Sequence, residues 1–309
     1  MDGTGSADGI TVAFVRARAP ASTANLGPGF DVLAVALDLY VEVEVEPASR
    51  LVVRAEGEGA ELADDASHLA ARVAIDVAGH DRLAITVRSD IPVARGLGSS
   101  AALAAAAAAA AGSRDPLGVA AQVDGHPENA AASVVGGLVA ATLVKGSVRA
   151  VRMPLDNRLV FVAAIPDRLL PTAKARHALP EQVARRDATF NLGRMALLLA
   201  GLADSSLLIR EATEDRLHQD YRSPLFPEAP QLLGRLVSAG ALAACWSGAG
   251  PTLVGICDAG QSQRVRDHAE KSMEEIGVSG KVLVLKPDLE GLVLNGGKRD
   301  EGGPFDVMA

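Results

Sequence analysis

The most regular pattern in the chain is "LYVEVEVE" (39–46), where Val41, Val43 and Val45 alternate with Glu42, Glu44 and Glu46. Successive strand side chains point to opposite faces, so this is a strand with one face in a core and one in water. "RLVVRAEG" (50–57) reads as a strand that pairs with it, and "RLAITVRS" (82–89) as another. "TVAFVRARAP" (11–20) reads as a strand stopped by Pro20, which has no N–H for a ladder. "ASTANLGPGFD" (21–31), with glycines on both sides of Pro28, reads as a loop. Helical spacing runs over "ASHLAARVAIDVAG" (66–79) and ends at Gly79. An almost pure alanine run follows Ser99 and Ser100, and 115–125 and 127–133 read as short helices. Strands are expected at 136–144 and 158–166.

The second half has longer helical patterns, at 181–202 and 207–219. Residues 236–260 read as strand, glycine-rich loop and strand, before a helix over 262–276 and a strand over 281–287. Strands and helices mix without strict alternation, which predicts an α+β fold. A chain of 309 residues suits two domains. The texture changes near residue 155, so the expected domains are 10–155 and 156–292, between a disordered tail (1–9) and a flexible tail (293–309).

Aromatic residues are only 3% of the chain, so its cores must be built from Ala, Val and Leu. The net charge of −8 disfavours nucleic-acid and anionic-membrane partners, but not a small anionic ligand, which needs only local positive potential. Two cysteines, Cys245 and Cys257, make no disulfide framework and no Cys-x-x-Cys pair. The opening "MDGTGSADG" lacks the apolar core of a signal peptide, and no apolar run reaches the roughly 18 residues of a membrane helix. A cytoplasmic protein is expected.

The candidate chemistry lies at "PVARGLGSSAA" (92–102). The first amides of a helix have no intrahelical partner, and their dipoles add to a partial positive charge. Gly96 and Gly98 let an anion approach those amides, and Ser99 and Ser100 add hydroxyls that donate to a phosphate or ligate a cation. A capped structural helix behind a glycine turn fits the loop alone equally well. A dinucleotide loop is disfavoured, because Pro92 separates "GLGSSA" from its strand and much of the domain precedes it. A Walker A loop is excluded, as no Gly-Lys-Ser/Thr occurs.

Three stretches in order, "PASTANLGPGFD" (20–31), "PVARGLGSSAA" and "SGAGPT" (247–252), resemble the three motifs of the GHMP kinases, the family of galactokinase, homoserine kinase, mevalonate kinase and phosphomevalonate kinase. "GHPENAA" (125–131), "TAKARHALP" (172–180) and "TEDRLHQDYR" (213–222) are most similar to the homoserine-phosphorylating branch. The resemblance implies an N-terminal domain like the second domain of ribosomal protein S5 and a ferredoxin-like C-terminal domain. It implies ATP, Mg²⁺, transfer of the γ-phosphoryl group to the hydroxyl of L-homoserine, a place in threonine biosynthesis, and a homodimer.

By the same resemblance Pro92, Arg95, Gly96, Leu97, Gly98, Ser99, Ser100, Ala101 and Ala102 form the ATP site, with His68 near the base. Asn25, Asp31, His126, Asn129, Arg176 and Arg222 fall on substrate positions, the two arginines suited to a carboxylate. Ser247, Gly248, Ala249 and Gly250 form the third loop. Ser100 and Gln122 are the expected metal ligands, and Glu128 with Ser100 the expected catalytic residues. Where such kinases read "ELEGHPDN" this chain reads "QVDGHPEN". Gln122 thus stands in place of a metal-ligating Glu; Asp124 is a candidate substitute, although on a regular helix it points roughly 200° away from Gln122. Glu128 replaces an Asp expected at the reacting hydroxyl. These departures leave three readings open: an intact homoserine kinase, a kinase of another hydroxy amino acid or small alcohol, or a nucleotide-binding homologue with little catalysis.

Overall fold

The computed structural model describes residues 15–295. The expected tail at 1–9 and most of that at 293–309 lie outside the described residues. In chain order the strands are β1 (Val15–Ala24), β2 (Leu33–Pro47), β3 (Val52–Gly57), β4 (Leu83–Ser89), β5 (Leu138–Val144), β6 (Ser147–Met153), β7 (Leu159–Pro166), β8 (Ala243–Trp246), β9 (Leu253–Asp258), β10 (Gly280–Leu285) and β11 (Val293–Asn295). The helices are α1 (Leu69–Ala78), α2 (Ser99–Ala110), α3 (Pro116–Asp124), α4 (Pro127–Val135), α5 (Thr172–His177), α6 (Arg185–Ala203), α7 (Gln219–Arg222), α8 (Ala229–Ala239) and α9 (Ser262–Glu275).

One sheet runs β11-β1-β2-β4-β3, with β5 on the first residues of β2 and β6 beyond β5. Its pairings are antiparallel except β3 with β4. The alternation in β2 works as expected: Val41, Val43 and Val45 are buried, and Glu44 meets its cross-strand partner Arg16 at 2.8 Å. The second sheet, β10-β7-β9-β8, is fully antiparallel. Strands and intervening helices follow each other as β7-helices-β8-β9-α9-β10, the βαββαβ order of a ferredoxin-like unit. Both cores are built mainly from Ala, Val and Leu, with Phe161 in the first and Phe226 and Trp246 in the second, and the alanines of α2 are buried on nearly every side. Those methyl groups let β1, β2, α1, α3 and α4 all approach one helix.

Several expectations are corrected. Pro20 does not stop β1, which continues to Ala24, so the loop starts at Asn25 rather than 21. The ladder to β2 shifts register between Pro20 and Ala21, so the proline's missing N–H falls at an irregularity. Strand β3 pairs with β4, not with β2. Residues 207–219 are not a long helix but 3₁₀ turns and irregular chain. There the Asp215 carboxylate takes the amide protons of Leu217, His218 and Gln219, which a continuous helix would hand to carbonyls. The segment 236–239 belongs to α8, not to a strand. Residues 293–295, expected to be flexible, form β11 on the edge of β1. Among the described residues no helix is long and apolar enough to cross a membrane.

Candidate active site

A cleft opens at the N-terminus of α2 and collects residues from both halves of the chain. On one side lie Pro92, Ala94, Arg95, Gly96, Leu97, Gly98, Ser99 and Ser100. Gly98 caps α2 in the left-handed region (φ 67°), and no side chain caps the helix. The first amides are therefore open to a ligand. Both loop glycines are required by close approach. A Cβ on Gly98 would lie 2.1 Å from Ser22 Oγ, and one on Gly96 2.3 Å from the Ser247 carbonyl oxygen.

The third loop braces the second. Ser247 Oγ donates to the Gly96 carbonyl at 2.6 Å, and the Thr252 amide to that of Arg95 at 3.3 Å. Gly248 and Ala249 line the cleft, whereas Ser247 and Gly250 act behind it. The Arg95 guanidinium donates to the carbonyls of Asp167 (2.7 Å) and Arg168 (3.1 Å). It clasps the loop to the second half of the molecule rather than standing free for phosphate.

Facing α2 is a layer of charged side chains. Arg222 is 2% exposed, and its NH1 group donates to the Gly248 carbonyl (2.9 Å) and towards His218 Nδ1 (3.0 Å). Arg176, on α5, donates to Asp31 Oδ1 at 2.6 Å. Each arginine keeps a buried Nε with no partner. Burial lowers the Arg222 pKa to about 10, the neighbouring Arg176 charge adding to the effect. Two guanidinium groups this close need an anion between or beside them. Phe30 carries both, its ring centroid 5.5–5.6 Å from each guanidinium carbon. Asn25 lines the cleft, but its amide is committed: Oδ1 accepts from the Asp31 amide (3.0 Å) and Nδ2 donates to the Gly248 carbonyl (2.9 Å). Asn25 holds the first loop to the third.

Two further carboxylates line the cleft. Glu128 is 2% exposed, its Oε2 has no partner, and Asn129 Nδ2 donates to Oε1 at 3.3 Å. Burial, with the charges of Asp31 and Asp124, pushes its pKa up to about 7. Asn129 is oriented by Ser22, whose Oγ donates to Asn129 Oδ1 at 2.9 Å. Asp124 also lines the cleft; burial lifts its pKa to about 6 against the opposing influence of Arg176, Asn129 and Ser100. His126, half-buried at the start of α4, lines the cleft, and burial lowers its pKa.

Besides Ser247 and Gly250, four expected contacts are not brought to the cleft. Gln122 is exposed on α3 and does not line it. Asp124 is the residue beside Ser100, because α3 ends at Gly125 and the carboxylate is carried by its final residue. His68 is 5% exposed and caps α1, its Nδ1 accepting from the Ala70 amide at 3.2 Å. Ala101 and Ala102 are buried in the core beneath the first turn of α2. Thr172 and Ala94 line the cleft without having been singled out. The cleft position of Asp124 had one visible sign, the glycine that ends its helix.

Two family models match the chain. The model "GHMP kinases N terminal domain" matches residues 62–137, and "GHMP kinases C terminal" matches 191–275. The chain belongs to the GHMP kinase family. It is 39% identical over 293 residues to the homoserine kinase of Caldanaerobacter subterraneus, covering 90% of this chain and 94% of that one. It is 42% identical over 258 residues to the homoserine kinase of Thermus thermophilus, covering 80% and 88%. Among solved structures, the homoserine kinase of Cytophaga hutchinsonii superposes with a TM-score of 0.80 at 25% identity, over 96% of this chain and all of the other. A mevalonate kinase of L. major, at 16% identity and a TM-score of 0.67 over 87% of this chain and 95% of the other, shares the fold.

Proposed function

We propose that this protein is an ATP-dependent kinase that transfers the γ-phosphoryl group to the side-chain hydroxyl of L-homoserine, giving O-phosphohomoserine, a step of threonine biosynthesis. One observation carries the choice of acceptor. An uncapped helix N-terminus faces, across one cleft, two arginines and an Asp suited to the two charged ends of an amino acid. The curated relatives named homoserine kinase support the same reading.

Phosphoryl transfer asks chiefly for positioning and charge stabilisation. The amides at residues 96–101 hold the phosphates at the positive end of α2. Arg222 and Arg176, both lining the cleft, take the amino-acid carboxylate. Asp31 receives the ammonium, exchanging one cation, Arg176, for another. Glu128 accepts the proton of the attacking hydroxyl, and its raised pKa keeps both protonation states accessible near neutrality. His126 and Asn129 line the acceptor side, and Asn129 steadies the Glu128 carboxylate. The donor set fits Mg²⁺: an all-oxygen pair, the Asp124 carboxylate and Ser100 hydroxyl, sits beside the phosphate amides. Bound there, the ion would neutralise phosphate charge. Gln122 has no part in it.

The proposal includes the division of labour between 10–155 and 156–292, a homodimer as the family resemblance implies, and the cytoplasm, where the ATP pool lies. Purified protein should release ADP with homoserine far faster than with serine or threonine. Equal rates on all three would remove homoserine as the acceptor, and nucleotide binding without turnover would remove the kinase reading.

A further inference from the structure

We propose that His218, a residue that does not touch the cleft, is the positioning residue that aims Arg222 and thereby sets selection for an acceptor carrying a carboxylate. The inference rests on the amino-acid reading of the cleft given above.

His218 is fully buried between the first loop and α7. Its Nε2 lies 2.8 Å from the Gly27 carbonyl oxygen, and its Nδ1 lies 3.0 Å from Arg222 NH1. The two neighbours determine the tautomer. A carbonyl only accepts and a guanidinium only donates, so Nε2 carries the proton and Nδ1 is bare. The ring is therefore neutral. A second proton would set one N–H against another at Nδ1, in a fully buried site.

Everything around the ring favours one orientation. Asp215 collects the amides of Leu217, His218 and Gln219, fixing the turn that carries the imidazole, and Asn191 Nδ2 donates to Asp215 Oδ1 at 2.7 Å. Phe30 stacks on the imidazole, with centroids 5.0 Å apart and planes 22° from parallel. Arg222 NH1 thus has two acceptors, Nδ1 and the Gly248 carbonyl, that pin one end of the guanidinium and leave the buried Nε free. Gly248 is also where Asn25 ties down the first loop. The imidazole therefore joins the first loop, through Gly27, to the arginine, and Gly248 joins both to the third loop. Without it Arg222 keeps its charge but loses its direction. That costs affinity for a carboxylate and nothing for an acceptor that has none.

The test compares homoserine with 3-aminopropan-1-ol, which keeps the amine and hydroxyl and lacks the carboxylate. His218→Leu removes both ring contacts. His218→Asn places an amide oxygen near the Nδ1 position and keeps the acceptor for Arg222. His218→Gln reaches Gly27 instead. The KM for homoserine should rise about tenfold in His218→Leu, with the KM for ATP and kcat/KM for the amino alcohol unchanged. His218→Asn should recover most of the loss and His218→Gln little. Thermal melts establish which variants fold; if His218→Leu does not, the Asn–Gln contrast decides. Equal losses on both acceptors, or Asn no better than Gln, overturn the role. Wild-type protein that ignores homoserine sinks the functional reading and this inference together. Wild-type turnover with an indifferent His218 sinks the inference alone.

Discussion

The two sides of the cleft are made of different material. Towards α2 the surface is main chain: glycines at 96 and 98, and a helix end that no side chain caps. Opposite it the surface is charged: Arg222 and Glu128 are buried, and Arg176 and Asp31 are partly exposed. Two neighbouring helices are capped by side chains. The first amides of α1 are served by His68, and those of α3 by Asp115, whose Oδ1 accepts from the Gly118 amide at 2.8 Å. The ends of α6, α8 and α9 lack a side-chain cap as α2 does, but the end of α2, at Gly98, Ser99 and Ser100, opens into the cleft. A backbone surface tolerates no added atom, and a charged surface tolerates no lost partner.

The largest effect should come from the charged side. Glu128→Gln should lower kcat about 10²- to 10⁴-fold, the usual worth of a positioned proton acceptor. Wild-type activity should rise with pH through about 7 as Glu128 ionises, and the Gln variant should lose that limb. Stability moves the other way. The folded pKa lies above the ordinary 4.5, so the folded state holds an extra proton between the two values. Stability therefore falls as pH rises from 4.5 towards 7, and the cost is complete above that, up to ~3 kcal/mol. Glu128→Gln should melt higher than wild type at pH 8 and differ little at pH 4. A flat pH profile in the wild type, or a Gln variant that melts lower at pH 8, would break this account of the charged side.

The next effect tests the backbone side. Gly98→Ala adds one carbon at φ 67° and 2.1 Å from Ser22 Oγ, so the loop must move. A displacement of that size should cost about 100-fold in kcat/KM for ATP. Adding Ser22→Ala should return part of it, since the nearest obstacle is then gone. Arg222→Ala is its counterpart across the cleft, with the KM for homoserine up about 10- to 100-fold and that for ATP unmoved. Exchange of these two signatures between the variants would dissolve the distinction between the sides.

The backbone side was legible because its signals are local. Glycines, serines and alanines at 96–110 are adjacent in the chain and each acts where it stands. The charged side was legible only through motif resemblance, and only for residues that touch the cleft. His218 meets Gly27 and Arg222 because three segments distant in sequence converge, which no spacing reports. In the fold, the alternation of β2 was plain, whereas β6 is a half-exposed edge strand with no buried face to impose a period. Residues 207–219 have helical spacing, but Asp215 draws off the amides.

The smallest effect lies where the two sides meet, at the proposed Mg²⁺ site of Asp124 and Ser100. Helical geometry makes Gln122 and Asp124 exclusive, since side chains two apart on a helix diverge. The motif comparison favoured Gln122, yet the cleft contains Asp124 and the solvent Gln122. Gln122→Glu should therefore leave the Mg²⁺ dependence of turnover where it is, although it installs a better ligand type. Asp124→Asn should shift that dependence to higher Mg²⁺ while sparing nucleotide binding measured without metal, because the amides of α2 do not change. A metal titration that follows residue 122 instead would mean that α3 turns its other face to the phosphates. Ser100 would then have no carboxylate partner, and the junction between the two sides would have to be redrawn.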